Sequence, residues 1–69
     1  MSNVYKVIEV IGNSPTSYAE ASKVALEAAS RSVRGISWFE VKNLGGKVQD
    51  GKVANFQVKL DVAFKVVTD

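Results

Sequence analysis

Trp38 is the side chain with the clearest capacity to hold a ligand, and it is the only tryptophan in the chain. Residues 37–41 alternate in the way that is typical of a β-strand. If Phe39 and Val41 face a core, the two-residue period of a strand turns Trp38 to the opposite face. An indole there can stack on a planar ligand or pack against another subunit, and packing is the more common use. From these residues alone, both explanations stay open.

Glu40 and Asp61 are the candidates for binding a metal ion. Asp-Gly at residues 50–51, between two strand-like runs, predicts a two-residue hairpin turn. That turn places Glu40 opposite Asp61 and puts two lysines opposite each other. The charges are explained more simply by diagonal ion pairs than by a bound cation: Glu40 with Lys59 and Lys42 with Asp61. Two carboxylates are too few for calcium, which takes about six to eight oxygens, unless another chain adds more.

Several classes of function are disfavoured by what the sequence lacks. It has no cysteine and no histidine, which removes disulfides, thiol nucleophiles, the usual zinc ligands and a serine-histidine relay. The remaining carboxylates and lysines do not form an obvious catalytic set, so we expect no enzyme. The net charge is only +2 with scattered basic residues, and no membrane span or signal peptide is apparent. We therefore expect a cytoplasmic protein that binds neither nucleic acid nor membrane.

The size of the chain predicts self-association. Residues 1–69 fit a single domain near the lower limit at which a chain folds unaided. Disulfides are excluded, so contact between chains is the remaining source of stability. Hydrophobic residues make up 46% of the sequence, more than one helix and a small sheet can bury. An obligate oligomer is therefore expected.

The first half of the chain reads as a strand followed by a helix. Apolar residues on both faces of residues 4–11 predict a strand covered on two sides, and the turn-forming residues 12–16 should end it. Ser17 and Glu20 have the spacing of a capping box, which predicts a helix start at Ser17, with Ser14 as the alternative. The predicted buried face of the helix consists mostly of small residues: Tyr18, Ala21, Ala25, Ala28, Ala29 and Val33.

The helix end and the second half of the chain complete the fold prediction. Gly35 is placed to cap the helix in a left-handed conformation. A second strand over residues 36–48 is interrupted at Gly45 and Gly46, where we expect a bulge or bend. In the third strand every second residue is apolar and should face the core: Ala54, Phe56, Val58, Leu60, Val62, Phe64 and Val66. The predicted fold is α+β, with β-α-β-β order, an antiparallel sheet of strand order 1-3-2 and one helix on one face.

Five short segments, taken in order, are more specific than any single motif. They are residues 4–9, 12–14, 38–41, 56–58 and 62–65. With the alanine-rich helix between the second and third, this arrangement resembles that of the dodecin family over nearly the whole chain. The resemblance implies a hollow homododecamer that, like most members, binds flavins in stacked pairs. It further implies storage and photoprotective sequestration of FMN or riboflavin, not turnover.

The resemblance also assigns roles to two side chains. Trp38 would stack on the isoalloxazine ring, and Gln57 would hydrogen-bond its polar edge. The predicted register puts Trp38 opposite Ala63, six residues along the third strand from Gln57, or about 20 Å. One chain cannot place both on one ring, so a site that uses both must lie between subunits. An electron-rich indole against the flavin would also quench its excited state.

Two positions depart from the family pattern. Gly45 stands where many bacterial dodecins have an arginine that contacts the flavin phosphate, and Lys65 stands where an arginine is frequent. A point charge at Lys65 or Lys47 can still reach a phosphate, but the missing arginine leaves riboflavin nearly as well supported as FMN. Coenzyme A is associated with some dodecins and is left undecided. The alternative function is a cation-binding, calcium-type or purely structural assembly, with Glu40 and Asp61 as its metal candidates.

Overall fold

The computed structural model describes residues 3–66. Four elements follow one another: β1 (Val4–Ser14), α1 (Tyr18–Ser32), β2 (Ile36–Gln49) and β3 (Lys52–Val66). The strands form one antiparallel sheet in the order β1-β3-β2, with β3 in the middle. The predicted α+β fold, its β-α-β-β order and its strand order are all confirmed.

β1 is longer than the sequence predicts. It continues through residues 12–14, because Asn13 pairs with Gln57 and Ser14 pairs with Phe56 on β3. Cross-strand pairing thus outweighs the local turn preference of this segment. Gly12 makes the extension possible, since a Cβ built on it would overlap the carbonyl oxygen of Ala21 in α1.

The helix begins where the capping box predicts. The Ser17 hydroxyl accepts a hydrogen bond from the backbone N–H of Glu20 at 3.0 Å, which satisfies one free donor of the first turn. The alternative start at Ser14 is wrong, because its hydroxyl instead accepts from the backbone N–H of Thr16. Three alanines form the buried stripe, namely Ala21, Ala25 and Ala29. Tyr18 and Ala28, which were predicted on that face, are exposed.

The end of the helix differs from the prediction by two residues. The C-cap is Val33, whose N–H donates to the Ala29 carbonyl at 2.9 Å. Gly35 has the expected left-handed conformation, with φ of +78°, but it lies in the connection to β2. Its carbonyl accepts from the Lys65 N–H at 3.1 Å, which ties this connection to the end of β3.

The core is small and lies between α1 and two of the three strands. Val58, Leu60 and Val62 of β3 are fully buried against the alanine stripe. The helix packs on β1 and β3 and leaves β2 uncovered. Phe39 and Val41 were predicted to be core residues, yet they are 43% and 48% exposed. They point to the same side of the sheet as α1, as predicted, but the helix does not extend over β2.

The register between β2 and β3 is correct at the hairpin and again near Trp38, but not between. Residues 50–51 form a turn in which Asp50 and Gly51 both have positive φ, as a type I′ hairpin requires. The register then shifts at residues 47–48 and shifts back at residues 41–43. As a result Asn43, and not Lys42, lies opposite Lys59.

The expected irregularity at the glycine pair is displaced to its two sides. Gly45 pairs with Gln57 and Gly46 with Phe56, so both glycines are part of the ladder. A Cβ built at Gly46 would overlap the carbonyl oxygen of Asn55, whereas one at Gly45 would meet nothing within 4 Å. Only Gly46 is therefore required by close approach of the chain.

Candidate ligand site on the open face of the sheet

Trp38 lies on the sheet face turned away from α1, which we call the open face. It pairs with Ala63 on β3, while its neighbour Phe39 pairs with the buried Val62 on the helix side. The indole is 46% exposed. A large aromatic surface is thus available at this face, as the alternation of residues 37–41 predicts.

Tyr5 of β1 contacts the indole from across the sheet. The two ring centroids are 4.7 Å apart with an interplanar angle of 60°, an edge-to-face arrangement that aromatic pairs favour. Between the two outer strands lies Ala63, whose small side chain leaves room for the rings and is only 2% exposed. The contact fixes the indole against Tyr5 and leaves 46% of the Trp38 surface exposed.

Tyr5 was not among the predicted site residues. The available signal was strand parity, because Tyr5 shares a face with Val7, and Val7 pairs with the same Ala63 that faces Trp38. Strand order 1-3-2 then brings the two aromatic residues to either side of one alanine. The contact could have been inferred from register and strand order together, but not from either alone.

Gln57 lies at the far end of the open face, beside a shallow hollow. The hollow has a volume of about 240 Å³ and is lined by Asn43, Leu44, Gly45, Gln57 and Lys59. Gly45 is directly opposite Gln57, so the position of the family arginine is adjacent to the predicted hydrogen-bonding residue. The absence of a side chain at Gly45 leaves that side of the hollow open.

The structure places Trp38 and Gln57 on one face but does not bring them together. Ala63, opposite Trp38, is six residues along β3 from Gln57. At the rise of an extended strand this separation is about 20 Å, too far for one ring system. Within a single chain they are two candidate half-sites at opposite ends of the open face.

Charged residues fill the space between the two half-sites. Asp61 on the central strand has Glu9 beside it on β1 and Glu40 beside it on β2. Lys42 compensates by pairing with Asp61 at 3.6 Å, as predicted. The predicted Glu40 pair with Lys59 is wrong, since residues 3–66 contain no such ion pair. Nor do residues 3–66 hold a group of three or more acidic side chains arranged to bind a metal.

Lys65 lies at the Trp38 end of the open face and away from the hollow. It pairs with Tyr5 in the sheet register, and its side chain is exposed. A ligand near Trp38 is within reach of this lysine, whereas the hollow beside Gln57 is eight residues distant along β3, or about 26 Å.

In the described part of the chain, no helix is long and apolar enough to span a membrane.

The sequence and the fold of this chain are both similar to those of one protein family. The sequence model of the family described as Dodecin matches residues 4–67, nearly the whole chain. The chain belongs to the dodecin family. A curated dodecin from Thermus thermophilus is 36% identical over 66 residues, covering 96% of each chain. The calcium dodecin of Mycobacterium tuberculosis is 38% identical over 64 residues, covering 93% of this chain and 90% of the relative.

Solved dodecin structures have the same fold. The dodecin of Streptomyces davaonensis superposes with a TM-score of 0.93 at 29% identity, covering 99% of this chain and 100% of its own. The calcium dodecin of Mycobacterium tuberculosis, described as having a novel calcium-binding site, superposes with a TM-score of 0.81 at 36% identity, covering 96% and 94%. The names of these dodecins describe no catalytic activity.

Proposed function

We propose that this dodecin binds a flavin, FMN or riboflavin, and stores it in a homododecamer without catalysing a reaction. Each subunit would be the single domain of residues 1–69. The observation that carries the proposal is Trp38, whose indole is 46% exposed on the open face and is in edge-to-face contact with Tyr5. An aromatic plane held in this way is suited to stacking on a flat ring system.

Self-association is supported by the apolar surface that one chain leaves uncovered. On the helix side of β2, Phe39, Val41 and Leu44 are between 43% and 58% exposed. The chain measures 54 × 20 × 13 Å, so the long hairpin has little of its own structure to pack against. Neighbouring exposed apolar side chains on one side of a strand are typical of a protein interface. Membership of the dodecin family indicates a homo-oligomer, and the number of twelve belongs to the proposal.

The oligomer is also needed to complete the site. Trp38 and Gln57 of one chain are about 20 Å apart, so a ring that touches both must take them from different chains. The flavin would then be bound only by the assembled protein. Gln57 has an amide with both donor and acceptor atoms, which fits the alternating donors and acceptors of the isoalloxazine edge.

The indole has a second role in this proposal. An excited flavin is a strong electron acceptor, and an electron-rich ring in van der Waals contact can donate to it rapidly. The electron returns to Trp38 without chemistry on any other group, so light energy is lost as heat. Storage and photoprotection therefore follow from the same contact.

Fluorescence titration tests the proposal. Adding riboflavin or FMN to the assembled protein should quench flavin emission, and Trp38→Ala should abolish the quenching. Native mass spectrometry of both proteins checks that the variant still assembles and gives the subunit number. If neither flavin is quenched by micromolar wild-type protein, the flavin proposal is wrong. Coenzyme A is a third ligand to include, because some dodecins are associated with it.

Calcium binding is the second candidate, and it is supported by the name of the Mycobacterium tuberculosis relative. Against it, Asp61 is already paired with Lys42, and no acidic metal cluster occurs within residues 3–66. Calorimetry with calcium separates the two functions: a heat signal that is lost in Glu40→Gln would support the cation site. The cytoplasmic location remains a prediction from the sequence.

A further inference from the structure

We infer that the bond between Asp50 and Gly51, at the tip of the hairpin, is a site of spontaneous modification at which the main chain rearranges to isoaspartate. The two residues connect β2 to β3, and both are exposed. Each has a positive φ, +54° at Asp50 and +77° at Gly51. The rearrangement needs only water and the atoms of these two residues, so it does not depend on the proposed function.

The chemistry joins the Asp50 side chain to the next backbone nitrogen. The Gly51 nitrogen forms a bond to Cγ of Asp50, and its proton leaves with the carboxyl hydroxyl group as water, which closes a succinimide ring. Water then adds to one of the two ring carbonyls. Opening at Cγ restores aspartate, whereas opening at the former backbone carbonyl leaves a main chain that runs through Cβ and Cγ. The product has the mass of the starting protein, and no oxidant, reductant or cofactor takes part.

The backbone at Asp50 is one peptide rotation away from the geometry of attack. In the type I′ turn ψ of the first central residue is about +30°, which directs the Gly51 nitrogen away from the Asp50 side chain. In a type II′ turn φ stays positive and ψ is about −120°, which brings this nitrogen beside Cβ and within reach of Cγ. Asp50 already has the φ that both turns share. Both turns also join hairpin strands, so the rotation preserves the strand register.

Gly51 permits this rotation because it has no side chain. A type II′ turn requires negative φ at its second central residue, and glycine adopts φ of either sign. A Cβ built on Gly51 would meet nothing within 4 Å, so the space around the peptide is open. Among residues 3–66, no ion pair holds the Asp50 carboxylate in place.

Asp61 lacks every one of these features and serves as an internal comparison. It lies on the central strand and is paired with both Glu9 and Glu40. Its carboxylate pairs with Lys42 at 3.6 Å. The next residue is the buried, β-branched Val62, whose side chain shields the backbone nitrogen. The sheet therefore blocks the same reaction at Asp61.

Isoaspartate at residue 50 loosens the end of the hairpin, because it adds one atom to the main chain of a tight two-residue turn. β1 pairs with β3 only from Phe56 onward, so residues 47–55, which we call the arm, have no third strand beside them. Val48 and Val53 pair across the arm and are 72% and 60% exposed. A bare two-stranded hairpin is marginally stable in water, so the arm depends on its turn.

Peptide mapping of the assembled protein after prolonged warm incubation at neutral pH tests the inference. Isoaspartate, identified by its fragmentation in mass spectrometry, should accumulate at residue 50 and not at Asp61. Asp50→Asn retains a turn-forming residue and should convert several-fold faster, since an amide loses ammonia more readily than a carboxylate loses water. Gly51→Ala should convert several-fold more slowly, because its methyl group hinders the attacking nitrogen.

Hydrogen exchange of the incubated protein measures the effect on the arm. In the isomerised fraction, the amides of residues 47–55 should lose protection, whereas Val62 should keep it. Wild-type isoaspartate that is no more abundant at residue 50 than at Asp61, or equal rates in Gly51→Ala and wild type, would overturn the modification site. Isoaspartate at residue 50 with an arm as protected as before would overturn its effect on the hairpin.

Discussion

Tyr5 and Trp38 meet edge to face across the central strand, with ring centroids 4.7 Å apart. The contact joins the two outer strands of the sheet over a single alanine, Ala63. It makes the orientation of the indole a property of the sheet and not of β2 alone. The orientation of Trp38 in the candidate half-site is therefore set within one chain.

Replacing Tyr5 by alanine should loosen the indole without unfolding the protein. An edge-to-face pair contributes about 0.5–1.5 kcal/mol, so the loss of stability is modest. Since Trp38 is the only tryptophan, its near-ultraviolet circular dichroism band reports directly on its order and should weaken. Tyr5→Phe keeps the ring and should leave the band unchanged. A band that survives in Tyr5→Ala would show that other contacts orient the indole.

Gly45 and Gly46 should respond in opposite ways to the same substitution. Gly46→Ala forces a Cβ onto the Asn55 carbonyl, and we expect a loss of about 1–3 kcal/mol as the hairpin shifts. Gly45→Ala adds a methyl group to open space and should change stability by less than about 0.5 kcal/mol. Denaturant unfolding of the two variants checks this, and equal losses would contradict it.

Ser17→Ala should destabilise the protein by about 1 kcal/mol, because the hydroxyl that accepts from the Glu20 N–H is removed. The matched control is Ser22→Ala in the second turn, where the serine hydroxyl only donates back to the Tyr18 carbonyl. Alanine has the higher helix propensity, so the control should be neutral or slightly stabilising. Thermal unfolding separates the two, and a control as damaging as Ser17→Ala would refute the capping role.

Removing the charge of Lys42 and removing the charge of Asp61 should have different effects on stability. Lys42→Gln leaves Asp61 between Glu9 and Glu40 without compensation and should cost up to about 1 kcal/mol. Asp61→Asn removes the central like charge and should be neutral or stabilising. Unfolding at low and high salt checks this, since the effect of Lys42→Gln should shrink with screening. Equal losses for both variants would mean that the ion pair outweighs the repulsion.

Local chemistry explains which parts of the fold could be predicted. The capping serine and the Asp-Gly turn act through atoms close in sequence, and both are where the sequence places them. The pairing of Trp38 with Ala63 that the turn predicts is also correct, because the two register shifts between the turn and Trp38 cancel. By contrast, the exposure of Phe39 depends on which strands the helix covers. The position of the helix over the sheet is determined by tertiary packing, and the alternation of residues along a strand does not predict it.

The candidate site was predictable at its ends and not in between. Trp38 and Gln57 lie on the open face because each alternates correctly with its neighbours. The predicted ion pair of Glu40 with Lys59 is wrong, and within residues 3–66 Asp61 pairs with Lys42. The two register shifts in β2 have opposite sense and cancel before Trp38. The pairings at the hairpin turn and at Trp38 therefore give no indication of them. Tyr5 was missed because its contact spans two strands.

The bulge at Lys42 has a consequence for the length of β2. Because Val41 and Asn43 are paired with consecutive residues of β3, Leu60 and Lys59, Lys42 is surplus to the ladder. A chain from which Lys42 is deleted would keep every other pairing of the hairpin. At this position the strand can shorten by one residue without exchanging its two sides, and the side chain that is lost is the counter-ion of Asp61.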